Sequence, residues 1–268
     1  MTATTSGPST GTVLGVWAHP DDEAFLSAAL MAQAVDTGER VVVASATLGE
    51  RGTPDPALWP PERLAAVRRS ELARSLEVLG VKDHRWLGHC DGGLRRVPEP
   101  VGVAQIVELV DEVEPDTIVT FGPEGMTGHD DHRTISAWVT AAWRMTGRRS
   151  RLWHATLTPS FHVIWGGLNG EVGLWLPGSR PPATPVVDLA HRIAADDQLS
   201  RRKYAALRAH ASQTDGLVAR VGAERFRRWW AVESFVDAAP ARNPSRHGCL
   251  LESRRSTHRD PSIREEAP

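Results

Sequence analysis

Short apolar runs rich in β-branched residues alternate along this chain with longer segments of helical spacing, and that alternation narrows the fold more than any other feature. Val13 to Ala18 reads as a buried strand, Glu23 to Thr37 as a helix ending at Gly38, and Val41 to Thr47 as a second strand. Arg63 to Leu79 has helical spacing and stops at Gly80. Asp83 to Leu87 is a short strand, Val101 to Val113 a helix, and Thr117 to Phe121 another buried strand. His132 to Met145 is again helical and Leu152 to Leu157 a strand. Strands interleaved with helices imply an α/β fold, with a mostly parallel sheet covered by helices on both faces. Trp17, Trp138 and Trp143 fall at core positions of this pattern.

The second half is less regular. Ser160 to Pro185 is rich in Gly, Pro and Trp and takes no clear element; it reads either as an insertion shaping a substrate entrance or as a packed loop. Helical spacing returns from Asp188 to His210 and from Ala223 to Ala231. No linker divides the middle, so a single domain over 12–236 is expected. It would lie between an N-terminal stretch (1–11) and a C-terminal tail (237–268) whose compositions are too polar to offset the entropy of ordering them.

Composition excludes several classes. With 31 Lys+Arg against 33 Asp+Glu, the net charge is -2, without the basic excess of a nucleic-acid binder. No stretch approaches the roughly 18 apolar residues of a membrane span, and the first ten residues show no leader pattern. Cys90 and Cys249 are too few for a disulfide framework. A cytoplasmic protein with a small-molecule substrate is expected, and homo-oligomerisation is left open.

The chemistry concentrates in two clusters. The first strand runs straight into His19-Pro20-Asp21-Asp22-Glu23, and the fourth is followed by Gly128-His129-Asp130-Asp131-His132. Ligands of open α/β sheets bind beyond the carboxyl ends of the strands, so both clusters arrive where a site is expected. Singly, each His or Asp is explained by a cap or a turn. Jointly, they make a metal site the economical reading, since three N/O ligands with one open position suit catalytic zinc. Spacing does not say whether His129 or His132 is the ligand, or which acid is the base.

These motifs resemble the PIG-L / LmbE-like family of zinc-dependent N-acetylglucosaminyl deacetylases. The resemblance extends to Thr47-Leu48-Gly49-Glu50-Arg51-Gly52, the helix from Arg68 to Gly80, Asp91-Gly92-Gly93-Leu94 and the segment Lys203 to Gln213. It implies a Rossmann-like domain and a metal-dependent amidohydrolase that removes acetyl from an N-acetylglucosamine-type amino sugar or its conjugate. Carried over by position, the metal ligands are His19, Asp22 and His132, and Asp21 is the general base. His129 stabilises the oxyanion or acts as an acid, with Asp131 holding its ring. Glu50, Arg68 and Asp91 fall where relatives contact the substrate. The implied metal is Zn2+, with Fe2+ or Co2+ compatible with the same donors.

Two positions depart from the pattern. Thr127 stands where some relatives carry an oxyanion-contacting tyrosine, and Asp130 where many carry proline. The nearest rival is an amidase cleaving larger mycothiol-type conjugates at the same site. From other classes come a metal-dependent phosphoesterase, which needs more ligands than the one set present, and a noncatalytic sugar- or nucleotide-binding domain. No Gly-x-Gly-x-x-Gly follows the first strand to support a dinucleotide site.

Overall fold

The computed structural model describes residues 9–238. Its first strand, β1 (Val13–Trp17), is VLGVW and buried throughout, as befits a strand covered on both faces. β2 (Val41–Thr47), β3 (Asp83–His89), β4 (Thr117–Phe121) and β5 (Arg151–Thr156) join it in parallel, in the order β3-β2-β1-β4-β5. Two antiparallel strands complete the seven: β6 (His191–Ala194) forms the far edge, and β7 (Val232–Asp237) lies between it and β5. The connections are α1 (Asp22–Asp36), α2 (Pro61–Leu79), α3 (Glu99–Val113), α4 (Asp130–Met145) and α5 (Pro159–Val172). After β6 come α6 (Asp197–Ala209), α7 (Ala211–Val221) and α8 (Ala223–Trp229).

Crossovers through α1 and α2 run from β1 toward β3, whereas those through α3 and α4 run the other way. Parallel crossovers are right-handed in nearly all cases, so the two pairs cover opposite faces. Consistently, α1 and α2 pack with α6, and α3 packs with α4. The reversal of direction opens a crevice between the carboxyl ends of β1 and β4, the usual ligand site of such sheets.

Most expected elements are present with ends shifted by a few residues, and Trp17, Trp138 and Trp143 are buried. The helix read from Asp188 to His210 instead begins with β6, and α6 starts only at Asp197, capped by Asp196 on the Leu199 amide (2.8 Å). Ile193 is the one buried residue of β6, so no apolar run marks it. The unassigned 160–185 stretch contains α5, whose N-terminus Thr158 caps. α7 and β7 were not anticipated; β7 buries Glu233 and Ser234 along with Phe235, which blurs its alternation.

The sheet runs to Asp237, one residue past the expected domain limit. At the other end Thr10 is buried, its carbonyl accepting the Thr117 hydroxyl at 2.7 Å, so order begins before residue 12. The remainder of both expected tails, 1–8 and 239–268, lies outside the described residues. Among the described residues no helix is long and apolar enough to cross a membrane.

The α3–α4 contact depends on Gly102, because a Cβ at that position would overlap the Trp138 indole. Gly102→Ala should therefore destabilise the protein by about 1–3 kcal/mol through overpacking, despite a helix-propensity gain of up to about 1 kcal/mol. Denaturant unfolding checks this, and an unchanged or raised midpoint would show that the interface yields.

Candidate active site

The chain leaves β1 through His19-Pro20 and enters α1 at Asp22, with Asp21 at the junction. Asp21 sits in the left-handed region (φ 106°, ψ -28°) and its carboxylate caps nothing. For a non-glycine residue that conformation costs roughly 1–2 kcal/mol. Its amide donates to Glu23 Oε2 at 2.9 Å, and its carboxylate lies 3.2 Å from the Arg68 guanidinium. The side chain is thereby turned to border a cavity instead of the helix end. Burial, together with neighbouring Asp22 and Glu23, raises the Asp21 carboxyl to about 6 against the opposing pull of Arg68.

Asp22 turns back over the strand end. One carboxylate oxygen accepts the His19 amide at 2.8 Å and lies 3.5 Å from His19 Nδ1; the other lies 3.4 Å from His132 Nε2. His19 Nδ1 and His132 Nε2 are 3.2 Å apart. Tetrahedral zinc bonds of about 2.0–2.1 Å place neighbouring ligand atoms about 3.3–3.4 Å apart, close to these separations, with His19 and His132 met by different oxygens of Asp22. Ring nitrogens of His19, His129 and His132 also converge closely enough to hold an ion. Burial pushes the Asp22 carboxylate up, but the facing His132 and His19 rings outweigh it and hold it at about 2. Burial lowers His132 to about 4, which keeps its ring neutral and ready to ligate.

The opposite nitrogens are also fixed. His132 Nδ1 donates to the Gly125 carbonyl at 3.0 Å, leaving the Nε2 lone pair for a ligand, and Phe121 stacks on the ring at 4.1 Å. His19 Nε2 faces two carboxylates, Asp91 at 3.1 Å and Asp131 at 3.4 Å. Such partners set the tautomer and raise the basicity of a ligand histidine. Despite burial, these carboxylates with Asp22 raise His19 well above its ordinary value. His19, Asp91 and Asp131 form another group close enough to hold an ion. Both carboxylates also accept backbone amides: Asp91 that of Arg51, and Asp131 those of Gly92 and Leu94.

Several residues therefore sit differently from expectation. The Asp131 carboxylate supports His19, not His129; only the Asp131 amide reaches His129, donating to Nδ1 at 3.1 Å. That bond leaves the proton of a neutral His129 on Nε2. The His129 ring packs edge-on against His19, with centroids 4.9 Å apart, and borders the cavity. Of the three expected substrate contacts, Arg68 borders the cavity, with its guanidinium bonded to the Gly49 and Pro20 carbonyls and facing Asp21. It lies so close to Gly49 (φ +63°) that any side chain there would overlap it. Asp91 borders the cavity while holding His19, and Glu50 stands behind it, accepting the Asp91 amide at 2.8 Å. Thr127 borders the cavity in place of the absent tyrosine; Tyr204 packs against Phe226 instead.

The cavity measures about 440 Å³, within the range of roughly 300–1,000 Å³ typical of small-molecule sites. Its far wall is apolar and drawn from distant segments: Phe25 and Leu26 of α1, Leu174, Leu217 of α7, and Trp230. Leu174 comes from the formerly unassigned stretch, which is tied to the second motif by the Leu176 amide donating to the Thr127 carbonyl at 3.0 Å. Gln213 joins the polar side. Met126 and this wall carry no local signal, since they are single apolar residues on scattered segments, whereas Gln213 ends the segment that carried the resemblance.

Residues 14–143 match the family model PIG-L, described as GlcNAc-PI de-N-acetylase. The chain is 30% identical over 282 residues to the 1D-myo-inositol 2-acetamido-2-deoxy-alpha-D-glucopyranoside deacetylase of Salinispora arenicola, covering 91% of this chain and 90% of that protein. The protein of the same name from Kineococcus radiotolerans is 38% identical over 164 residues, covering 48% of this chain and 45% of that protein's length. Among solved structures, the N,N'-diacetylchitobiose deacetylase of Pyrococcus horikoshii shares the fold, with a TM-score of 0.59 at 23% identity over 84% of this chain and 83% of that one. The match to the Salinispora protein over 91% of this chain, together with the PIG-L model over residues 14–143, which carry both motifs, establishes that this chain belongs to the PIG-L family of hydrolytic N-deacetylases.

Proposed function

We propose that the protein removes the acetyl group from an N-acetylglucosamine-type amino sugar carrying a further group, with an inositol conjugate as the first candidate. The observation that carries this reading is the triangle of His19 Nδ1, His132 Nε2 and the Asp22 carboxylate, with Asp21 beside it on one open cavity. The three residues would hold a divalent ion, zinc for preference, with ferrous iron or cobalt suited to the same donors. When bound, it polarises the acyl carbonyl and acidifies the attacking water.

The chain's own groups supply the remaining steps. Asp21, turned into the cavity and steadied by Arg68, takes the proton of the water as its oxygen attacks the acyl carbon. His129, with Nδ1 engaged by the Asp131 amide, offers Nε2–H to the carbonyl oxygen as charge grows there. As the C–N bond breaks, the proton held on Asp21 passes to the amine nitrogen, giving acetate and a free amino sugar. Asp91 and Asp131 face His19 Nε2 and would hold that ring in its ligating tautomer. Cys90 is exposed and free among the described residues, and we place the reaction in the reducing cytoplasm.

A second reading is favoured by the apolar wall of Phe25, Leu26, Leu174, Leu217 and Trp230. It would accommodate an amide conjugate bulkier than a simple sugar acetamide, of the mycothiol type. Both readings are tested by primary-amine release from a panel containing the N-acetylglucosaminyl-inositol conjugate, a glycosylated peptide and larger amide conjugates. Each substrate is run with zinc and with chelator. Chelator-sensitive release from the inositol conjugate is the expected result. Release only from the larger amides would favour the second reading, and a protein that binds no metal and releases no amine would refute both.

A further inference from the structure

Two fully buried residues outside the catalytic set, Glu23 and His210, connect the last third of the chain to Asp21. Glu23 presents one carboxylate oxygen to the Asp21 amide at 2.9 Å and the other to His210 Nε2 at 3.0 Å, and neither side chain has any solvent exposure. His210 stands at the turn between α6 and α7, where its carbonyl accepts the amides of Gln213 and Thr214 at 2.9 Å each. The same turn brings Gln213 to the cavity.

The contact falls on the backbone of a strained residue. A left-handed conformation at a non-glycine position persists only where the surroundings over-determine it. Arg68 fixes the Asp21 carboxylate and the preceding Pro20 carbonyl, but it does not touch the Asp21 amide. The amide has Glu23, and Glu23 in turn has His210. Burying a carboxylate without a partner is costly, so His210 is what keeps Glu23 in place to hold that amide.

We infer that Glu23 and His210 form a clamp that positions the catalytic base, holding Asp21 in its strained conformation from the α6–α7 turn. The inference rests on Asp21 acting as the base. It assigns a positioning role to both residues, reached through the Asp21 backbone and without contact to substrate.

The test compares His210→Leu, which removes the donor, with His210→Gln, whose amide nitrogen can still donate to Glu23. Asp21→Asn and Val103→Ala, a buried substitution in α3, run beside them. Each is measured for zinc content, thermal unfolding, and kcat and KM on the N-acetylglucosaminyl-inositol conjugate, and His210→Leu is also crystallised. His210→Leu should keep its zinc and its KM but lose kcat by roughly 10- to 100-fold, the scale of a small misplacement of a reacting group. His210→Gln should recover most of that loss, and Asp21 should leave the left-handed region in the His210→Leu crystal. Val103→Ala should lose thermal stability without losing kcat.

An unmoved Asp21 in the crystal overturns the clamp, whether or not the conjugate is turned over. So does a His210→Leu variant with full kcat, or one whose loss His210→Gln does not relieve. If Asp21→Asn itself retains activity, the reading of Asp21 as base fails instead. An inactive Asp21→Asn beside a fully active His210→Leu rejects the clamp alone.

Discussion

Asp21→Asn is expected to lower turnover by about 10²–10⁴-fold, the usual contribution of a positioned acid–base group, while zinc binding is retained. The three proposed ligand atoms belong to His19, Asp22 and His132, so the ion's immediate partners are untouched. Asparagine keeps the shape and can still face Arg68, but its amide takes up no proton near neutrality. The base must both accept a proton from water and return it to the amine, so losing it removes two transfers together. Burial already raises the Asp21 carboxyl toward neutrality, to about 6, which suits a group that must do both. Metal content and single-turnover rate on one preparation decide the matter. A variant with bound zinc and near-wild-type rate would remove Asp21 from the mechanism.

Lys203→Met is expected to destabilise the fold by about 3–5 kcal/mol, because it strands a buried carboxylate. The Lys203 ammonium and the Glu233 carboxylate lie 2.7 Å apart, with side-chain exposures of only 2% and 1%. Their other contacts fall on one helix: Lys203 donates to the Phe25 carbonyl at 2.7 Å, and Glu233 accepts the Ala29 and Leu30 amides at 2.7 and 2.9 Å. In a regular helix the Phe25 carbonyl is the partner of the Ala29 amide. The pair from α6 and β7 therefore grips α1 at one turn of its own hydrogen-bond ladder. Burial lowers the lysine against the pull of Glu233, so the ammonium is sustained by its carboxylate.

The double variant Lys203→Met/Glu233→Gln should be more stable than Lys203→Met alone, since the amide oxygen still accepts from α1 and no charge is left unpaired. Denaturant unfolding at constant slope measures both. A loss below about 1 kcal/mol for the single variant would mean that water or rearrangement relieves the stranded charge.

The order of elements was legible because it is local. β1, β2 and β4 are short runs of apolar and β-branched residues buried throughout, as suits strands covered on both faces. Both chemical clusters were legible for the same reason: each is a short motif following such a strand. By contrast, β6 and β7 carry a single buried isoleucine and a mixed VESFVD pattern, since their place depends on pairing with each other and with β5. The Lys203 to Gln213 segment could be matched by resemblance, yet nothing in its letters says that Lys203 reaches Phe25 or that His210 reaches Glu23, 187 residues away.

Local patterning was enough for the parallel α/β plan, the strand-end placement of the two clusters and the residue types available for a metal. Which atoms those residues present depends on packing across the fold: Nδ1 of His19 and Nε2 of His132 face Asp22, with Asp91 and Asp131 behind His19 and Arg68 beside Asp21. Strand and helix periodicity follow from neighbours along the chain. The tautomer of a histidine, the partner of a buried carboxylate and the wall of a cavity follow from groups brought together across the sheet, because each buried polar atom must find its partner wherever the fold supplies one.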